Sequence, residues 1–216
     1  RVLAVKSGEA AVLQHVSTVG GWVEIGTLAT MPLAGGSPRP LLDNIQYADY
    51  NPIHGDLAIT RFHNDSNSFS LEYPIGHVLY QAPGWVSDPH FSRDGSRIAF
   101  IVHPNFGDDL GQVAMVDLGG RLSLLSPQYS STQGLGWSPS DKEIWYSATP
   151  GGTVLKVFAV TPSGRVRPLM SAPTMMQVQD VAADGRLLLL SQGGRLSAYL
   201  VAGSPPQSHN FTVLDW

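Results

Sequence analysis

The 216-residue chain contains no cysteine, which excludes disulfides, thiolate metal sites and cysteine nucleophiles while leaving the redox compartment open. Charge is scarce as well. Lys, Arg, Asp and Glu make up 14% of the residues, where about a quarter is usual, and the net charge is −4. Such a surface suits neither nucleic acid nor an anionic membrane. Long apolar runs are missing: the longest are Ile98-Ala99-Phe100-Ile101-Val102 and Leu187-Leu188-Leu189-Leu190, far below the roughly 18 residues of a bilayer span. No segment carries a long apolar stripe at helical spacing, so helices are expected to be scarce. The start has no signal peptide, and Arg1 is not an initiator residue. The chain therefore reads as a fragment or processed product with any targeting segment upstream.

Motifs that carry chemistry are absent too. There is no Gly-x-Ser-x-Gly elbow, no phosphate-binding glycine loop between a strand and a helix, and no His-Glu-x-x-His zinc pattern. No cofactor is implied by any spacing.

What is present is turns and repetition. Hydrophobic residues reach 43%, enough for one substantial core, and 23 Gly with 16 Pro mark many turns. One short phrase recurs five times. Its copies are Val5-Lys6-Ser7-Gly8-Glu9, Tyr50-Asn51-Pro52-Ile53-His54-Gly55-Asp56, Phe91-Ser92-Arg93-Asp94-Gly95-Ser96-Arg97, Trp137-Ser138-Pro139-Ser140-Asp141-Lys142-Glu143 and Val181-Ala182-Ala183-Asp184-Gly185-Arg186. The opening residues lie roughly 41 to 46 apart. A repeat of about 40–45 residues built from short strands is the signature of a β-propeller blade.

One blade can be read directly. Trp85 to Phe91 forms an inner strand, Ser92 to Ser96 a hairpin, and Arg97 to Val102 a second strand whose continuous apolar character implies cover on both faces. After a polar loop from His103 to Gly111 come a third strand, Gln112 to Asp117, and an outer fourth, Arg121 to Ser126. The expected fold is an all-β propeller of four-stranded antiparallel blades. A single domain would divide at about residues 1–43, 44–83, 84–131, 132–176 and 177–216.

The hairpin phrase, above all Trp137-Ser138-Pro139-Ser140-Asp141-Lys142, resembles the one that TolB-type propellers use on each blade. Longer strings are similar to the TolB-like propeller of bacterial membrane-anchored serine/threonine protein kinases. They are Leu71 to Tyr80, Gly84 to Val102, His103-Pro104 with Gly107-Asp108-Asp109, Gly134 to Pro139, and Leu214-Asp215-Trp216. That resemblance implies a non-catalytic sensory or protein-interaction module, placed outside the cytoplasm, with a kinase and membrane anchor upstream. It implies a protein, peptide or glycan ligand at one face, and a sixth blade preceding Arg1. The kinase's own motifs are absent from this chain.

Several residues are candidates for a site. His90 beside Asp88, and His103 opening a polar loop, would converge with His54 and His63 if all faced the channel, giving a divalent-metal or acid/base set. That is the alternative function: a metal-dependent propeller hydrolase or lactonase. The plainer reading is local turn capping. Asp108 and Asp109 with Gly107 and Gly111 read as a turn rather than a calcium loop. Tyr50, Trp85 and Trp137 are assigned corresponding inner-strand positions, where large rings wedge between blades. Trp22, in a polar insertion from Ser17 to Ile25, is the better surface contact. Asn64-Asp65-Ser66 and Asn210-Phe211-Thr212 match glycosylation acceptors, a pattern common by chance.

Overall fold

The computed structural model describes residues 1–152, 154–171, 174–192, 196–202 and 207–210, with side chains as far as Ser191. The terminal Leu214-Asp215-Trp216 string and residues Phe211-Thr212 of the second acceptor lie outside them.

Nineteen strands and no helix make up the described chain. Blade 1 holds β1 (Val2–Lys6), β2 (Glu9–Val19), β3 (Val23–Pro32) and the first half of β4 (Arg39–Tyr50). Arg39 to Ile45 pair with β3, whereas Ile45 to Tyr50 pair with β5 (Leu57–His63). The chain thus passes from blade 1 into blade 2 without a loop. Blade 2 continues through β6 (Ser68–Glu72) and β7 (Val78–Ala82). Blade 3 comprises β8 (Trp85–Phe91), β9 (Arg97–His103), β10 (Gln112–Asp117) and β11 (Leu122–Leu124). Blade 4 comprises β12 (Ser131–Trp137), β13 (Ile144–Thr149), β14 (Lys156–Val160) and β15 (Val166–Met170). Blade 5 comprises β16 (Met175–Val181), β17 (Leu187–Gln192), β18 (Leu196–Ala202) and β19 (Gln207–Asn210). Every pairing is antiparallel between consecutive strands, so the chain is a propeller of four-stranded blades, as the repeat implies.

The core lies between blades. Leu13, Leu28, Ile45 and Ile59 fill the space between blades 1 and 2; Phe69, Leu71, Trp85 and Phe100 that between 2 and 3. Ile101, Leu135, Trp137 and Tyr146 join blades 3 and 4, and Val157, Val178 and Leu189 join blades 4 and 5. Strands buried on both faces explain the unbroken apolar runs.

The repeated phrase folds into one recurring turn. Asn51, Ser92, Ser138 and Ala182 each donate a backbone N–H to the carbonyl five or four residues on, at Asp56, Arg97, Glu143 and Arg186. The Asn51 carboxamide oxygen accepts the N–H of Ile53 and of His54, the local bonding for which Asn favours turns. Its amide nitrogen reaches the next blade, donating to Gly95 O at 3.1 Å. Gly95 has φ +69, and a Cβ there would lie 2.7 Å from Asn51 Oδ1, so only glycine fits.

A second repeated device is not legible as a motif. All five inner strands, β1, β4, β8, β12 and β16, carry a β-bulge before the turn. Each bulge frees backbone groups and re-aims side chains toward the axis. At the β12 bulge Gly134 has φ +67, and a Cβ would stand 2.0 Å from Val178 O of blade 5.

The segment from Ser17 to Ile25, expected as a polar insertion, is instead the tip of the β2–β3 hairpin. Gly20-Gly21 supply the positive φ that the tight reversal demands. Trp22 Nε1 donates to Gly107 O at 2.8 Å, and Phe106 packs against Gly20 and stacks on Phe62 at 5.9 Å. Blade 1 is thereby tied directly to the blade 3 loop.

Gly134→Val is expected to destabilise the chain by about 3 kcal/mol, combining backbone strain with overpacking against Val178. The urea midpoint should fall; an unchanged midpoint would show that the bulge has no fixed geometry.

Candidate functional site

The inner strands neighbour one another in the order β1, β4, β8, β12, β16 and border a polar channel. In its entry half a cavity of about 310 Å3 is lined by Arg1, Tyr47, Asp88, His90, Gln177 and Gln179. Toward the inner turns a smaller chamber, about 160 Å3, is bordered by Asp49, His90, Arg93, Trp137 and Asp180. His90 borders both. Between them the two cavities draw on all five blades, and the bulges of β4, β8 and β16 sit at the level of the larger one.

The carboxylates here are structural acceptors as well as channel charges. Asp49 Oδ2 accepts the backbone N–H of Phe91 at 2.8 Å, and Asp88 Oδ2 accepts that of Gly134 at 3.2 Å. Each therefore bonds the inner strand of the following blade, at a bulge or beside one. Asp88 itself has φ +50, a left-handed conformation that Asp tolerates better than most residues. Burial pushes both carboxyls above the ordinary range. His90, whose Nδ1 lies 3.9 Å from Asp49 Oδ2, opposes the shift at Asp49. The Ser87 hydroxyl and the Gly134 amide oppose it at Asp88. Tyr47 is also pushed up, by burial first and then by Asp88. The Arg1 guanidinium, 4.9 Å over its ring, acts against this.

Of the residues singled out in the sequence, Asp88 and His90 line the channel, and the others gather at two separate places. His103 is buried inside blade 3: its Nε2 lies 2.9 Å from Ser87 Oγ and its Nδ1 3.1 Å from Leu110 O. Trp85 stacks on its ring at 3.7 Å, and Trp22 meets Trp85 edge-on at 5.0 Å. Trp22 remains 45% exposed. Trp85 opens β8, so the register mate of Tyr50 and Trp137 is Phe91, not Trp85. Asp108 accepts the N–H of Leu110 and the Asn105 amide, closing the loop locally. Asp109 accepts from the Ser131 hydroxyl at 2.5 Å and from the Gln133 amide at 2.6 Å, joining the loop to blade 4.

The four histidines do not converge. His63 bonds Ser70 Oγ at 2.7 Å on the blade 2 sheet, and His54 sits exposed in its turn. Among the described residues no three His, Asp or Glu side chains are grouped to hold a metal ion. The Ser87–His103 pair has the polarity of an activated hydroxyl, since Nδ1 donates to a carbonyl and leaves Nε2 as acceptor. Both residues are shut from solvent, at 2% and 0% exposure, so no substrate reaches them.

Sequence reasoning missed Tyr47, Asp49, Arg93, Gln177 and Asp180. A signal existed: Asp49, His90 and Asp180 each stand one residue before the opening residue of a repeat. The shared position faces the axis.

Two outcomes follow from the electrostatics. Burial holds the His103 pKa down at about 4, so the folded state excludes a proton that the unfolded chain takes up near 6.5. Its contribution is intact above that range and is lost as pH falls toward 4, a change of about 3 kcal/mol. Urea midpoints of the native chain and His103→Gln, measured from pH 7 to pH 4, should converge as the pH drops; parallel curves would place the proton elsewhere. Asp88 behaves oppositely. Its raised pKa means that stability declines as pH rises through the folded-state value. Asp88→Asn keeps an oxygen for Gly134 N–H without the buried charge, so stability near neutral pH should hold or rise by up to about 1 kcal/mol. A clear loss in a thermal melt would show that the charge itself is required.

The sequence matches no family model and no curated protein. Solved structures resemble it in fold. TolB from Acinetobacter baumannii superposes with a TM-score of 0.68 at 16% identity, over 90% of this chain and 49% of that one. A TolB-type protein from Agrobacterium tumefaciens gives 0.69 at 14% identity, over 93% and 80%. A gluconolactonase from Xanthomonas campestris gives 0.59 at 18% identity, over 87% and 73%. This chain thus spans about half the length of the Acinetobacter TolB. The likeness is one of TolB-like propeller architecture, and it extends to binding and catalytic propellers alike.

Proposed function

We propose that this chain is a non-catalytic β-propeller module that binds its ligand in the central channel. The observation that carries the reading is the use made of the channel carboxylates. Asp49 and Asp88 hold backbone N–H groups of the adjoining inner strands, so a ligand at the cavity touches the bonds between blades. A metal-dependent hydrolase or lactonase needs such carboxylates free to coordinate. Tyr47, Gln177 and Gln179 add an aromatic ring and amides, groups suited to a peptide or a glycan.

Within a larger protein, binding would stiffen blades 2 to 5 and alter how an attached domain is held. The resemblance to kinase-linked propellers supports a sensory role and a place outside the cytoplasm. An interaction partner, protein, peptide or glycan, would approach the face where the entry half opens, since loops on a rigid scaffold carry recognition.

A displayed library of twelve-residue peptides, selected on the immobilised chain and counter-selected on Gln177→Trp, tests this. Binders should be recovered whose affinity falls at least tenfold when the tryptophan fills the cavity. Gluconolactone turnover that depends on an added divalent metal, and stops on chelation, would replace the binding reading with the enzymatic one.

A further inference from the structure

The β2–β3 tip that ties blade 1 to blade 3 keeps one aromatic ring in solvent. Val23 and Ile25 of β3 point inward and are buried, so Trp22 and Glu24, at the alternate positions, face outward. Trp22 is the one aromatic residue among the exposed large hydrophobic side chains of the described residues. It is also held still. Its Nε1 donates to Gly107 O, and its ring meets Trp85 edge-on at 5.0 Å. With the N–H already used, what the ring offers a partner is its electron-rich face. A ring already fixed loses little freedom when it is covered, which suits it to anchor an interface.

The charge around it is of one sign. Three segments meet here, residues 17–25, 63–68 and 103–111, joined by Trp22 on Gly107 and by Phe106 on Gly20 and Phe62. They contain Glu24, Asp65, Asp108 and Asp109 but no Lys or Arg. Glu24 meets Arg1 at 2.9 Å, in a pair exposed on both sides and therefore weak. Asp65, Asp108 and Asp109 make no ion pair among the described residues. Their bonds come from neutral donors: the Ser66 N–H, the Leu110 N–H with the Asn105 amide, and the Ser131 hydroxyl with the Gln133 amide. Such donors fix a carboxylate in place and leave its net charge uncancelled. An exposed indole face in a negative field favours a cation. Arg suits it better than Lys, because the guanidinium is planar, stacks on aromatic rings and is weakly hydrated. A neutral sugar would keep the stacking but gain nothing from the charge, and the Asn105 amide already donates to Asp108.

We propose that this patch docks a basic, arginine-bearing segment of a partner protein, with one guanidinium stacked on Trp22 and the carboxylates drawing the rest of the segment across the loops. The site goes beyond the channel reading and does not depend on it, since none of Trp22, Glu24, Asp65 and Asp108 lines either cavity.

Calorimetric titration of the whole chain with a twelve-residue Gly-Arg repeat peptide, and with the same peptide carrying citrulline for Arg, tests it. The arginine peptide should bind at least tenfold more tightly than its neutral isostere. Trp22→Ala and Glu24→Lys should each weaken it roughly tenfold, with far-UV circular dichroism unchanged. Glu24→Lys removes only an exposed ion pair and decides the matter if Trp22→Ala fails to fold. Equal affinity for the citrulline peptide, an affinity indifferent to both substitutions, or no heat at about 1 mM arginine peptide would each overturn the proposal. Binding of maltohexaose that is lost in Trp22→Ala, alongside no binding of the arginine peptide, would replace it with a glycan platform. Failure here with channel-dependent peptides still recovered would remove this proposal alone.

Discussion

One kind of bond recurs between blades near the axis: an oxygen on one blade captures a backbone N–H of the next at or beside its bulge. Asp49 takes Phe91, Asp88 takes Gly134, and Ser147 on β13 takes Val178 at 2.9 Å. Bulges leave ladder groups unpaired, and buried N–H groups without partners are expensive. Three of the five bent inner strands, β8, β12 and β16, are tied in this way. The apolar layers between blades supply most of the cohesion, but they are non-directional and do not set how far each blade advances along its neighbour. The captured amides do.

That arrangement explains why the channel is polar in a protein so poor in charge. Asp49 and Asp88 are needed as acceptors, and their placement obliges them to border the axis. His90 and Arg93 then accompany carboxylates already present. The outer parts of the ring use different means: the β2–β3 tip reaches Gly107 through Trp22, and the ring of Trp85 covers His103 from the other side. Aromatic contacts of this kind lock the loop from His103 to Gly111 without exposing a reactive group. The blade 3 loop is thus a fastening.

The sequence made the blades readable because their determinants are local. Asn51, Ser92 and Ser138 cap their own turns, Gly95 meets a conformational demand visible in its own phrase, and strand runs such as Ile98 to Val102 show cover on both faces. Asp88 and His90 were also legible, since they precede a turn whose position was known. Trp85 opens β8 whereas Tyr50 and Trp137 close β4 and β12, so register follows distance from the turn and not the identity of the aromatic residue. Around Trp22 the strand pattern looks interrupted in the sequence because Gly20-Gly21 reverse the chain there.

By itself the sequence determined the fold class, the repeat and the turn chemistry, because strand alternation and turn bonding act over a few residues. Only the tertiary structure decided the site. Arg93 meets Val181 across 88 positions of sequence, and Asp49, His90 and Asp180 come from three blades. Such a meeting depends on the angle each blade turns through, which is set by bulges and interblade packing rather than by the identity of any neighbouring residue.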